Sequence, residues 1–437
     1  MPRPLTAAAQ CGAVCVRSWR QRPVAWTKRG KTFTIYSFTS SACKMADIQE
    51  RDFFDTSDDA ENEEDLQAFD ASILSSTVVS DTDWTTETIL SQLKKKNILL
   101  DPAFQRRDAW TDERKSRFIE SLFLGLPIPQ LVFAENKNSR GKYIVIDGKQ
   151  RLLSLVRFAL DEDKPLRLKG LELRNDLNGK TLADLRNQGE YLDDLAAFEN
   201  QSIRTTIVRN WEREEVLYFI FHRLNSGSVP LSPQELRHAL HPGPFIDFAF
   251  AFSEASTGLV RLLGRDGKPD FRMRDVEIFI RYVGLMLYVN DYSGDLKRFL
   301  DLTTLRLNDS WGEKKQKVEK AAVALDKAID TTFEVFGEGA FRKWTGSGYE
   351  RRFNRAVFDI MTFTLSRTTL RREALSRPTV VVDTFKELCD DNEDFRRALE
   401  TTTKSTSATF GRLRVWSQSL IAALGLSGQT YPWLENL

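Results

Sequence analysis

The chain has 437 residues, 41% of them hydrophobic and 29% charged, with a formal net charge of +1. That is the composition of an ordinary soluble protein with about two to three domains, and it excludes a disordered or fibrous class. Near-neutral charge excludes a global field that recruits nucleic acid or membrane, leaving only local patches for that role, and no stretch approaches the ~20 apolar residues of a membrane span.

Charge is uneven at the start. Residues 1–44 hold eight basic residues and no acidic one, and Asp47 to Asp70 hold eleven acidic residues against Arg51. The first segment has the Arg-rich, acid-poor character of a transit peptide. It shows no helical periodicity, however, and Met45-Ala46-Asp47 reads as a start of its own, so residues 1–44 are expected to be a disordered upstream leader. Residues 45–80 are expected to form a disordered acidic arm, because like charges repel and few apolar residues can be buried. Three of the four cysteines (Cys11, Cys15, Cys43) fall in the leader, which leaves Cys389 alone in the body. A lone cysteine supports neither an internal disulfide nor a multi-thiolate zinc site, and a cytoplasmic location follows as the expectation.

Order is expected from about Asp81. Thr86–Leu93 reads as a short helix and Ile98–Leu100 as a short strand. Thr111 caps a helix with Asp112 and Glu113 in its first turn, where negative charge suits the dipole. Phe118, Ile119, Leu122 and Phe123 recur at helical spacing, and Gly125 ends the run. Pro127-Ile128-Pro129 forces an extended entry into a strand at Gln130–Ala134. Tyr143–Ile146 is a second strand, apolar enough to be buried on both faces. It runs into Asp147-Gly148, after which Leu152 to Ala159 is helical. Residues 161–200 mix charged loops with short apolar pieces and read as an insertion. A strand at Ser202–Val208 and a helix at about Glu212–Arg223 follow, the helix closed by Leu224-Asn225-Ser226-Gly227. Ser232-Pro233-Gln234-Glu235 starts the next helix with a capping box. From Pro244 onward long amphipathic patterns dominate, among them Asp275–Val289 and Glu313–Phe333. The fold class is therefore α+β: an α/β domain over 81–244, then a mainly helical domain over 245–437.

Several chemistries are absent from the sequence. It contains neither a Walker-type phosphate loop nor a Gly-x-Gly-x-x-Gly turn. His238 and His241 lack the cysteines or carboxylates of a metal-spaced cluster and read as structural residues of a helix end. The informative segment is Asp147-Gly148-Lys149-Gln150-Arg151, where a buried strand meets a helix N-terminus. Backbone N–H groups at such a place attract anions, and Gly148 lets a phosphate approach the main chain. Arg151 offers a planar fork to phosphate oxygens and Lys149 a point charge. Asp147 can hold a divalent ion or orient a water, and Gln150 can position a nucleophile or read a base. The same spacing also fits a plain helix start, with Asp147 as the cap and Lys149 and Arg151 as surface charges. Trp110, Phe118 and Leu122 read as core. Arg272, Arg274 and Arg281 read as a solvated face, with a basic binding face as the alternative.

Gln105-Arg106-x-x-x-Trp110, Phe118-Ile119-x-Ser121-Leu122-x-x-Gly125-x-Pro127-Ile128-Pro129 and Val145-Ile146-Asp147-Gly148-Lys149-Gln150-Arg151-Leu152 together resemble domain-of-unknown-function family 262. This is the ParB-like N-terminal domain of GmrSD-type modification-dependent restriction proteins and related phage-defence proteins. Phe221-x-Arg223-Leu224-Asn225-x-Gly227 and Leu231-x-x-x-Glu235-Leu236-Arg237-x-Ala239 resemble its downstream motif, so the likeness covers about 150 residues. The resemblance implies a ParB/sulfiredoxin-like fold over 81–244 that binds a nucleoside triphosphate and, in some members, hydrolyses it. It implies that the Asp147-Gly148-x-Gln150-Arg151 turn does this, which makes Asp147, Gln150 and Arg151 the candidate catalytic residues and Gly148 and Lys149 candidate nucleotide-binding residues. Gln105 and Arg106, which follow a short strand that can lie beside the turn, and Asn225, otherwise a helix stop, are further nucleotide-binding candidates, and Asp147 is the candidate ligand of a magnesium ion. DNA and a separate nuclease or defence subunit are the further partners it implies. Lys149 stands where the family often has Gln, a change that suits phosphate. No histidine-metal nuclease domain is visible behind the module, so DNA cutting by this chain alone is not expected. The alternative is a non-catalytic nucleotide- or DNA-binding module that docks a partner through its helical domain.

Overall fold

The computed structural model describes residues 22–28, 31–37, 76–100, 109–224, 232–263, 267–400 and 405–435. The chain divides into two units, Met1–Asp52 and Phe53–Leu437. In the first, β1 (Arg22–Lys28) pairs antiparallel with β2 (Lys31–Ser37), setting Val24 opposite Ile35 and Trp26 opposite Phe33. This hairpin departs from the expected structureless leader. Its apolar residues alternate with period two, a strand pattern that a search for helical periodicity passes over. Of the acidic arm, residues 45–75 lie outside the described residues, and 78–80 already belong to the next strand.

The second unit begins with β3 (Val78–Thr85), α1 (Thr86–Lys94) and β4 (Ile98–Leu99). Then come α2 (Asp112–Phe123), β5 (Leu131–Glu135), β6 (Tyr143–Asp147) and α3 (Lys149–Ala159). The α/β part is completed by α4 (Leu182–Arg186), α5 (Leu192–Asn200), β7 (Ser202–Arg209), α6 (Glu214–Leu224) and α7 (Pro233–Leu240). The strands form one mixed sheet in the order β3-β7-β5-β6-β4. The β7–β5 and β6–β4 pairs are parallel, and β3–β7 and β5–β6 are antiparallel.

Alternation along β5 explains why the sheet is covered on both sides. Leu131 and Phe133 face a core built from Ile89 of α1, Phe118 and Leu122 of α2, Leu152 and Phe158 of α3 and Phe198 of α5. Val132 and Ala134 face the opposite core, with Val216 and Leu217 of α6 and Leu236 of α7. A strand buried on both faces reads as an unbroken apolar run, as Leu131–Ala134 and Ile144–Ile146 do. Each fully buried Leu or Phe contributes about 1.5–3 kcal/mol, so the helical layers hold the sheet far more firmly than its hydrogen bonds do.

Residues 161–200 are not a detached insertion. Leu166, Leu168, Leu177, Leu185 and Leu195 join the same core as α2 and α3, and the buried Glu120 of α2 ties the segment down by accepting from the backbone N–H groups of Leu173 and Arg174 at 2.8 and 2.7 Å. Apolar side chains spaced along irregular backbone carry no period, which is why the sequence hides them.

The remainder is helical: α8 (Pro244–Ala255), α9 (Thr257–Leu263), α10 (Arg274–Tyr288), α11 (Leu296–Asp309) and α12 (Trp311–Phe336). After these come α13 (Arg355–Leu365), α14 (Thr368–Ser376), α15 (Pro378–Asp391), α16 (Glu393–Glu400), α17 (Thr406–Ala423) and α18 (Pro432–Glu435). Every residue of α10 from Asp275 to Leu285 is buried. Two of the three arginines expected on a solvated face are engaged in ion pairs. Arg281 is buried and donates to Asp359 of α13 at 2.6 Å, with Arg412 of α17 donating to the same carboxylate at 3.2 Å. Arg274 is paired with Asp270 at 2.7 Å. Among the described residues, no helix is long and apolar enough to cross a membrane.

Candidate functional site

The segment 147–151 is the junction of β6 and α3. Opposite β5, the pairing steps from Val132↔Asp147 to Phe133↔Val145, so Ile146 is an extra residue and a bulge precedes the turn. Bulges re-aim the residue that follows them. Gly148 then takes φ +98°, a left-handed conformation, and a Cβ at this position would stand 2.3 Å from Leu131 Cδ2. Both facts demand glycine here.

Helix α3 starts at Lys149 with Gly148 as its N-cap and no capping side chain. Its first-turn N–H groups lack intrahelical acceptors and carry the positive end of the dipole. The plain helix-start reading, with Asp147 as cap and two surface cations, does not hold. Asp147 is instead engaged by Arg151 one turn along, whose Nη2 donates to Asp147 Oδ2 at 2.9 Å and to the Gln130 carbonyl at 3.0 Å. The Arg151 side chain is only 7% exposed, and its Nε is buried with no partner. That Nε lies 3.4 Å from the place a Gly148 Cβ would occupy, so it faces the glycine. Among the described residues, Arg151 alone engages Asp147.

Lys149 points the other way. It is buried, and its Nζ donates to Oε1 of Glu235, itself buried. The second oxygen of Glu235 accepts from Ser232 N–H at 2.6 Å, while Glu235 N–H donates to Ser232 Oγ at 3.1 Å, the capping box of α7. One carboxylate thus starts a helix and neutralises the turn's lysine. The capping box is legible in Ser232-Pro233-Gln234-Glu235; the partner 86 residues away is not, because no local spacing encodes it. The Gln130 carbonyl under Arg151 was missed for the same reason.

Gln150 Oε1 accepts from Trp110 N–H at 3.3 Å, which fastens the chain entering α2 to the turn. Trp110 also packs edge-on against Phe118 at 6.1 Å and receives the Arg114 guanidinium 4.7 Å from its ring centre. Phe118 and Leu122 are core residues. Gln105, Arg106 and Asn225 lie outside the described residues.

A divalent ion can be tested against the side chains. At the turn the carboxylate is that of Asp147, 22% exposed and already paired with Arg151 at 2.9 Å, so an ion such as magnesium would have to share it with the guanidinium. A second group, Glu214, His241 and Asp301, brings ligand atoms within 4.8 Å of one another. There Asp301 already accepts from Arg237 at 2.6 Å and Lys297 at 3.1 Å, and His241 Nε2 lies 3.2 Å from Glu214. Burial pushes the Asp301 carboxyl up, but Arg237, Lys297 and His241 outweigh it and hold it below the usual carboxylate range. Two cations balance the two carboxylates, so this is an ion-pair joint between α6, α7 and α11 that does not fit a metal. His238 packs edge-on against Phe250 at 5.8 Å, as a structural histidine.

Residues 86–242 match the family model of the GmrSD restriction endonuclease, N-terminal domain. No curated protein matches the chain.

Proposed function

We propose that the protein, whose residues 86–242 match the model of the GmrSD restriction endonuclease N-terminal domain, is a restriction- or phage-defence-type component whose 147–151 turn binds and hydrolyses a nucleoside triphosphate. The observation that carries this reading is the buried, unpartnered Arg151 Nε beside the uncapped start of α3. A buried donor left without an acceptor costs about 1–3 kcal/mol, a penalty an arriving phosphate oxygen removes. The first-turn N–H groups of α3 supply further donors. Magnesium bound at Asp147 would neutralise phosphate charge. Asp147 then orients a water for attack on the terminal phosphorus, with the Gln150 amide beside it. The water oxygen bonds to phosphorus as the bridging P–O bond breaks and the water's proton passes to solvent, releasing phosphate and the nucleoside diphosphate. A ParB/sulfiredoxin-like kinship of the sheet, a cytoplasmic location, and a separate nuclease or defence subunit as partner belong to the same reading.

One observation favours the non-catalytic alternative. Asp147 and Lys149 are both already satisfied, by Arg151 and Glu235. Phosphate release from each of the four NTPs with magnesium separates the two readings. Release by the wild-type protein, lost in Asp147→Asn while nucleotide is still bound, supports hydrolysis. Binding without release from any of the four assigns the turn a binding role only.

A further inference from the structure

The sheet has two ends, and the turn occupies one. At the other, all five strands begin or finish in a row. Strand β3 begins at Val78, which pairs with Arg209 at the end of β7. Ala134 of β5 pairs with Val208, Glu135 at the end of β5 pairs with Tyr143 at the start of β6, and Tyr143 pairs with Ile98 of β4. With strands about 4.8 Å apart the row is about 19 Å long, and the four steps of β6 put it about 13 Å from Asp147.

Cations gather along this row. Lys94, Lys95 and Lys96, at the end of α1, are exposed, and the next residue, Asn97, accepts from Tyr143 N–H at 2.7 Å. The β5–β6 connection adds Lys137, Arg140 and Lys142, all exposed, and β7 adds Arg209. Glu135 and Glu212 offset them only in part. Glu135 is paired with Arg209 at 3.5 Å, and it is the backbone carbonyl of Glu212, not its carboxylate, that accepts from Lys137. Lys94, Lys95, Lys96, Arg140 and Lys142 have no carboxylate partner among the described residues. An open cleft of about 890 Å³ lies between the β5–β6 connection and the end of β7, lined by Lys137, Arg140 and Arg209. In a chain of net charge +1, this excess is a local positive field suited to a polyanion.

We propose that this row is the docking surface of the chain's own acidic segment, residues 55–70. Charge and connectivity select that occupant. The segment holds eight carboxylates and no basic residue, and residues 71–77, which join it to β3, carry no charge. Strand β3 starts at one end of the row, beside Arg209. At no more than about 3.5 Å per residue, the eight steps from Val78 back to Asp70 reach at most about 28 Å. That is enough to bring Asp70 to any point of a row about 19 Å long, and the carboxylates before it have more reach. One exposed ion pair contributes little. A segment that carries many, on so short a tether, meets the row at an effective concentration of the order of millimolar, above that of a second copy in dilute solution. Complementary charge fixes where it docks, and docked there it excludes other polyanions from the row. The docking is independent of nucleotide at the 147–151 turn, about 13 Å away.

The test is fluorescence anisotropy of a labelled synthetic peptide of residues 55–70, titrated at low salt and without nucleotide with full-length proteins of matched melting temperature. In the wild-type chain the row is already filled, so the peptide should bind weakly. Replacing the eight acidic residues from Asp55 to Asp70 by their amides frees the row, and this chain should bind the peptide about tenfold or more tightly than wild type. Adding Lys94→Gln, Lys95→Gln, Lys96→Gln, Arg140→Gln and Lys142→Gln should remove that gain. Adding Lys315→Gln, Lys317→Gln and Lys320→Gln instead, on the exposed side of α12, should leave it within about twofold. Raising the salt to about 1 M, where the Debye length is about 3 Å, should abolish the binding. Carbodiimide coupling of amines to carboxylates in a mixture of isotopically light and heavy wild-type chains then reads the docking directly. Cross-links should join the segment to Lys94, Lys95, Lys96, Lys137 and Lys142 within one copy. The proposal is overturned if the wild-type and amide chains bind the peptide alike, or if the amide chain does not bind it at millimolar concentration. It is equally overturned if the edge substitutions leave binding unchanged, if those on α12 weaken it as much, or if the cross-links join light chains to heavy ones.

Discussion

Gly148 and Arg151 set the shape of the turn between them. Gly148→Ala forces a Cβ to within 2.3 Å of Leu131 Cδ2 at φ +98°, a clash and a strained backbone together. The variant should lose about 1–3 kcal/mol of stability in urea unfolding, and a loss below about 0.5 kcal/mol would show that the turn relaxes freely. Lys149 and Glu235 are coupled in a different way. Lys149→Met leaves the Glu235 carboxylate buried beside an apolar chain, which should cost about 3–5 kcal/mol. Adding Glu235→Gln keeps an acceptor for Ser232 while removing the stranded charge, so the double variant should be more stable than the sum of the singles by about 0.5–3 kcal/mol. Strict additivity would mean that the ion pair contributes nothing of its own.

At the scale of elements, α7 joins the two parts of the second unit. Its Glu235 meets the turn through Lys149, and one half-turn later Arg237 donates to Asp301 of α11. Ser232 Oγ also donates to the Arg272 carbonyl at 2.5 Å. Asp301 is held below the ordinary carboxylate range, so it binds its proton less readily folded than unfolded. Its stabilising effect is therefore complete above the unfolded value of about 3.9 and is lost as pH falls through the lower folded value. Urea unfolding from pH 6 to pH 3 should show stability falling with acid, and Asp301→Asn should flatten part of that fall. The elements also differ in how well the sequence announces them. Helix α2 is marked by Thr111, by Asp112 and Glu113 in its first turn, and by Gly125 beyond its end. Strand β6 is marked by its unbroken apolar run. Strand β3 was missed because it is an edge strand rich in Thr and Asp, with Val78 and Val79 exposed, so it shows no buried face. The segment around Leu166 to Leu177 was missed because its burial follows no period.

For the molecule as a whole, the α+β class and the passage from a sheet to a helical region were legible, because they rest on long periodic patterns. The position of the turn at a strand-to-helix junction was legible too, from Tyr143–Ile146 followed by Asp147-Gly148. What its charges do was not. Arg151 on Asp147 and Gln130, Lys149 on Glu235, and Arg281 on Asp359 are set by tertiary packing, and a sequence read for local spacing shows such residues only as charges. The same packing leaves one buried guanidinium nitrogen at the turn without an acceptor, and the nucleotide reading turns on it. Calorimetric titration of the full chain with each of the four NTPs and magnesium tests that reading most directly, with melting temperatures measured in parallel. The wild-type protein should bind at least one of the four. Arg151→Ala should bind it about tenfold to a hundredfold more weakly, the loss of one charge-assisted contact of about 1.5–3 kcal/mol. If the wild-type protein binds none of them at millimolar concentration, or if Arg151→Ala binds as wild type does, the turn is not a nucleotide site.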